Sequence, residues 1–120
     1  MHILAAEKVA DEGLALLESR HTVDTVSGKL SDDELLERIG EYDALLVRSA
    51  TQVTAKVIAR GKRLRVIARA GVGVDNIDVP AATRQGVLVV NTPAGSTVAA
   101  AEHALALLMA LCRNIPGADR

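Results

Sequence analysis

"RVIARAGVGVDNID", residues 65–78, runs from an apolar strand-like stretch into two closely spaced glycines, Gly71 and Gly73. A glycine pair after a strand can open the fingerprint that cradles a dinucleotide pyrophosphate. That fingerprint needs a third glycine where Asn76 stands, and an acidic residue about 20 positions on, where "VVNTP" offers Asn91. It also belongs at the first strand-to-helix turn, and three strand candidates precede this one. The glycines are therefore read as serving something other than a pyrophosphate, and the stretch as one strand in an alternating series.

On both sides the alternation continues. "HILAA" and "TVDTV" read as strands, with the helical pattern "DEGLALLESR" between them. "SDDELLERIG" is a helix opened by a capping box, Ser31 to Glu34, and stopped at Gly40. "ALLV" is a continuous apolar run, as expected of a strand buried on both faces. Thr54 is placed to cap "AKVIARG", Asp78 with Pro80 opens "VPAATRQG", and "VLVV" is the fifth strand. Ser96 then caps a long helix that "RNIPG" stops through Pro116 and Gly117. Five such units with short connections and right-handed crossovers predict an α/β fold, a doubly wound parallel sheet covered by helices on both faces. The natural strand order is 2-1-3-4-5, the flavodoxin-like arrangement.

The last helix is apolar almost all round, from Ala99 to Cys112, and such a helix seeks burial on more than one side. One reading makes it an unusually apolar core helix. The preferred one gives it a second domain or subunit to pack against.

Composition removes several function classes. At 120 residues and 49% hydrophobic, the chain is one globular domain able to bury a core. A net charge of -1, without basic runs, gives no pull toward nucleic acid or an anionic membrane. Tyr42 is the sole aromatic residue besides histidine, so platforms for flavins or unpaired bases are absent. His2, His21 and His103 are scattered without metal-ligand spacing, so no metal is expected. Cys112, alone, cannot form an internal disulfide, and no signal or membrane-spanning stretch is visible. A soluble cytoplasmic protein is the expectation.

Open parallel sheets bind ligands beyond the carboxyl ends of their strands. There the sequence delivers Glu7 and Lys8, then Arg48, Ser49, Ala50 and Thr51, then Arg69 to Gly73, then Asn91 to Gly95. Two arginines, hydroxyls and glycine loops on one rim suit a small anion, a carboxylate or a phosphate. Each residue has a plainer role open to it: a surface arginine, a turn glycine, an asparagine satisfying loop backbone. Ser49 has no histidine base near it in sequence, and no G-x-S-x-G elbow occurs.

"YDALLVRSATQVT" (42–54), "RAGVGVDNID" (69–78) and "AAEHALALL" (100–108) together closely resemble the N-terminal part of the D-3-phosphoglycerate dehydrogenases. These belong to the NAD-dependent D-2-hydroxyacid dehydrogenase family, and the likeness spans essentially the whole chain. It implies that residues 1–95 are a substrate-binding domain in which Arg48, Ser49 and Arg69 hold the acid's phosphate or carboxylate. Gly71, Val72 and Gly73 would grip the substrate carboxylate, with Val72 bordering the nicotinamide, and Asn91 would line the same cleft.

The family commonly has asparagine where Ser96 stands. Residues 96–120 would be the crossover helix leading to an NAD-binding domain that lies outside this sequence. That domain carries the family's nucleotide fingerprint, arginine, glutamate and histidine, and His103 does not match the last of these. The expectation is thus a truncated oxidoreductase of serine biosynthesis that takes a small phosphorylated 2-hydroxy acid. It would hold NAD only in its full-length form and be inactive alone. Residues 97–113 would fold back onto the sheet or form a homodimer. The rival is a stand-alone flavodoxin-like anion-binding or scaffold module without catalysis.

Overall fold

In the computed structural model, which describes residues 1–28 and 30–118, short strands alternate with helices. The strands are β1 (His2–Ala5), β2 (Thr22–Thr25), β3 (Ala44–Val47), β4 (Val66–Arg69) and β5 (Leu88–Asn91). Between and after them come α1 (Asp11–Glu18), α2 (Asp32–Arg38), α3 (Ala55–Arg60), α4 (Val79–Gln85), α5 (Thr97–Cys112) and α6 (Ile115–Ala118). A 3-10 turn at Ile39–Glu41 follows α2. All pairings are parallel and the order is β2-β1-β3-β4-β5, as the alternation predicts.

Register places Leu4, Leu45, Ile67 and Val89 side by side on one face. Leu4, Leu45 and Ile67 are fully buried there, against Leu35 of α2, Val57 and Ile58 of α3, and Ala81 and Ala82 of α4. Each large aliphatic side chain so buried contributes about 1.5–3 kcal/mol, which makes this face the source of the domain's stability.

Helix starts are set locally. The Ser31 hydroxyl accepts from the Glu34 amide at 3.3 Å, while the Glu34 carboxylate accepts from the Ser31 amide at 2.8 Å. Asp78 accepts from the Ala81 amide at 2.9 Å, and Gly86, at φ 72°, ends α4 in a left-handed conformation that suits glycine. Two expected caps are corrected. Ser96, with ψ 3°, lies outside the extended conformation from which a cap side chain reaches the first-turn amides. Thr54 is extended but makes no side-chain cap bond, and it stands at an exposed helix start where first-turn amides are open to solvent. The end of the long helix is also corrected. Asn114, at φ 49°, stops it, and Ile115–Ala118 coils again over the Pro-Gly pair expected to terminate it.

The second face is covered only in part. The face opposite the core carries α1, which packs against the edge strand β2 and has no buried residue. None of the 16 residues of α5 is buried, and Leu107 is 57% and Leu111 78% exposed. Leu88 and Val90 of β5 are exposed with them. The radius of gyration is 18.2 Å; about 14 Å is expected for a compact chain of this length. α5 projects from the sheet and does not fold back. Nothing in the α/β layer satisfies a helix that is apolar all round.

Candidate functional site

At the carboxyl rim, β1 delivers Glu7. Its carboxylate accepts from the backbone amides of Arg48 (2.9 Å), Thr51 (2.9 Å) and Ala50 (3.2 Å). Partial burial pushes the Glu7 carboxyl up, but these amides outweigh it and the net position is below the ordinary range. The loop after β3, open to an outside anion on sequence grounds, therefore already holds an anion of its own.

Asn76 locks the same loop from the other side. Its Nδ2 donates to the carbonyls of Arg48 (2.9 Å) and Thr51 (2.7 Å), and its backbone carbonyl accepts from Val53 at 2.8 Å. The position that broke the glycine fingerprint is thus filled by a buried clamp between two loops. Sequence reasoning missed both Glu7 and Asn76 as organisers. The one signal was an asparagine standing in a glycine's place.

The two arginines occupy the same rim but not the same face. Val47 pairs with Arg69 across β3 and β4, so their side chains share the core face, and Arg48 follows on the opposite one. Arg48 is exposed, with Nη1 3.4 Å from the Lys8 carbonyl, beside a shallow groove lined by Val9, Ala10 and Ala70. Ser49 is exposed next to it. Arg69 is nearly buried and meets Asp75 at 2.6 Å through Nη1. One pincer of two convergent guanidinium groups is not what forms; the arginines flank the rim.

Gly71, Val72 and Gly73 do come together with Asn91. Asn91 Nδ2 donates to the Val72 carbonyl (2.6 Å), and Thr92 donates to the Gly71 carbonyl through its amide (3.0 Å) and hydroxyl (3.2 Å). With those carbonyls turned toward β5, the amides of Val72 and Gly73 donate to nothing among the described residues. Two unpartnered N–H groups in an exposed loop beside a guanidinium are groups of the kind that can receive a carboxylate.

Comparison with known proteins gives this geometry a context. The profile of the D-isomer specific 2-hydroxyacid dehydrogenase catalytic domain matches residues 3–114. The chain belongs to that dehydrogenase family. D-3-phosphoglycerate dehydrogenase of Synechocystis is 53% identical over 118 residues, 98% of this chain and 21% of the relative. The enzyme of that name from Archaeoglobus fulgidus is 46% identical over 120 residues, covering 23% of its own length. This dehydrogenase-family chain thus spans about a fifth of the curated relatives it matches. Among solved structures, TT0316 from Thermus thermophilus superposes with a TM-score of 0.86 at 35% identity, over 98% of this chain and 39% of that one. An NAD-bound 3-phosphoglycerate dehydrogenase from Entamoeba histolytica gives 0.76 at 26% identity, over 92% and 38%.

NAD is the family's cofactor, and the loop after β4 does not fit its pyrophosphate. Asn76 is buried with its amide hydrogens committed, and Arg69 fills the space beside both glycines. The Val72 side chain, 47% exposed, presents an apolar surface there. No group of His, Cys, Asp and Glu among the described residues could hold a metal ion, and no described helix is long and apolar enough to cross a membrane.

Proposed function

We propose that this chain is the substrate-binding portion of a D-3-phosphoglycerate dehydrogenase. The reaction served is oxidation of 3-phosphoglycerate to 3-phosphohydroxypyruvate with NAD as hydride acceptor, at the entry to serine synthesis. The observation behind the reading is the loop at Gly71–Gly73, whose unpartnered amides stand beside Arg69 at a rim shared with Arg48. In this reading the Val72 and Gly73 amides receive the carboxylate, and Arg48 and Arg69 draw in the negative ends of the acid from either side. Flanking arginines suit a ligand with two separated anionic groups, as 3-phosphoglycerate has, better than a single carboxylate.

Residues 1–95 form that binding unit, with Asn91 and Ser49 lining the cleft, and α5 leads away from it. Hydride transfer requires a held cofactor and a proton acceptor. The residues described here supply the acid's seat, so the 120-residue chain binds and does not turn over. The exposed apolar surface of residues 97–113 is where a second copy would attach.

Calorimetric titration of the chain tests this. The expected result is uptake of 3-phosphoglycerate, lost in Arg69→Gln, with little affinity for NAD. Binding of NAD without 3-phosphoglycerate would overturn it. Sedimentation at rising concentration checks the pairing of α5, and a clean monomer would rule it out.

A further inference from the structure

The Arg69–Asp75 pair is unequal in a way that the binding role does not explain. The Arg69 side chain is 11% exposed and that of Asp75 is 83% exposed. One partner is anchored in the fold and the other hangs in solvent from the loop after β4. Arg69 Nε has no exposed surface and no hydrogen-bond partner among the described residues. A visiting anion can therefore reach only the Nη end of this guanidinium, and Asp75 sits on Nη1 at 2.6 Å.

The glycines make this contact possible. A Cβ at Gly73 would lie 2.7 Å from the Asp75 carboxylate and 3.4 Å from Arg69 Nη1, and one at Gly71 would lie 3.2 Å from Arg69 Nε. Neither glycine has the positive φ that would make it a conformational requirement. They are small so that a carboxylate and a guanidinium can close under the loop.

We propose that Asp75 is a built-in stand-in for the substrate's anionic group, occupying Arg69 until an acid displaces it, and thereby sets both affinity and selectivity. This rests on the assignment of Arg69 to the acid-binding rim. A neutral molecule of similar shape has nothing with which to displace the carboxylate, so it finds the loop closed. An acid exchanges one ion pair for another, and the freed, solvent-facing Asp75 returns to water at little cost. The Arg69 hydrogen bond holds the Asp75 carboxyl below its ordinary range, so the stand-in stays charged throughout the neutral region.

Calorimetry on the 120-residue chain and its Asp75→Asn variant, with 3-phosphoglycerate as ligand, tests the exchange. Removing an exposed competitor of this kind is expected to tighten binding about fivefold. A general field effect of the lost charge predicts the same direction, but it fades at about half-molar salt, where screening reaches within a few ångströms. The displacement mechanism keeps most of the ratio between the two proteins at that salt. Equal or weaker binding by Asp75→Asn, or a ratio that falls to one in salt, overturns the stand-in while leaving the acid-binding site intact. No uptake of 3-phosphoglycerate by either protein overturns the site itself.

Discussion

The Thr51 amide donates to the Glu7 carboxylate across 2.9 Å, joining the ends of β1 and β3 at the rim where ligands would arrive. The Arg48 and Ala50 amides converge on the same group. A carboxylate in that seat organises the loop that presents Arg48. Glu7→Gln is expected to cost about 1–2 kcal/mol, since a neutral amide oxygen replaces a charged acceptor of three N–H groups. Urea unfolding at neutral pH, with an unchanged slope, checks this.

The same contact fixes a pH dependence. Glu7 in the folded chain lies below its ordinary value of 4.5. The unfolded state therefore binds the proton more readily, and stability falls as the medium acidifies. The contribution is complete above that ordinary value and drains away as pH drops through the lower folded one. Glu7→Gln should flatten that part of the acid limb. An unaltered limb would show that the loop does not depend on the charge.

Asn76 is 4% exposed and spends both amide hydrogens on the Arg48 and Thr51 carbonyls. Asn76→Ala strands two acceptors and is expected to cost about 2–3 kcal/mol. The loss should come with disorder at residues 48–51, read as shifted amide resonances there.

Tyr42 donates to Asp24 at 2.6 Å and accepts from Arg38 at 3.0 Å, while His2 Nε2 lies 3.1 Å from the same aspartate. Asp24 is held below its ordinary range, first by the Tyr42 hydroxyl and then by His2. Tyr42→Phe is expected to lower stability by about 0.5–1.5 kcal/mol at neutral pH. The difference should shrink in acid as Asp24 takes up its proton in the parent chain. Thermal melts of both proteins across acidic pH decide it.

Ile67 and Leu107 are both large aliphatics, one with no exposure and one with 57%. Ile67→Ala should cost about 2–5 kcal/mol through lost contacts and a residual cavity. Leu107→Ala should change unfolding by less than about 0.5 kcal/mol. At concentrations too low for two copies to pair, amide hydrogens of α5 should exchange far faster than those of β3 and β4, because a helix without tertiary burial is marginal in water. Slow exchange in α5 would mean that its surface is covered in solution.

Much of the fold was legible because it rests on local signals. The apolar run at 44–47, the capping box at Ser31 and Glu34, and Asp78 with Pro80 each set an element through neighbours a few residues away. The failures share one cause. Thr54 and Ser96 are residues of the right type at a helix start, yet the backbone angle at Ser96 and the solvent around Thr54 follow from what surrounds them. The apolar circumference of α5 announced a need for burial without saying where that burial lies.

The site divides in the same way. Sequence determined which residues reach the rim, since a parallel alternation of strands and helices sends every strand's carboxyl end to one side. That alone placed Arg48, Arg69, Gly71, Val72, Gly73 and Asn91 together in one neighbourhood. Tertiary structure decided what they do to one another. The two-residue pleat put Val47 and Arg69 on one face and Arg48 on the other, a matter of register that no single stretch encodes. Bonds spanning 41 and 44 positions gave the loop after β3 to Glu7, and one spanning 6 gave the guanidinium of Arg69 to Asp75. Local chemistry names the groups at a surface; only packing determines which of them are already engaged.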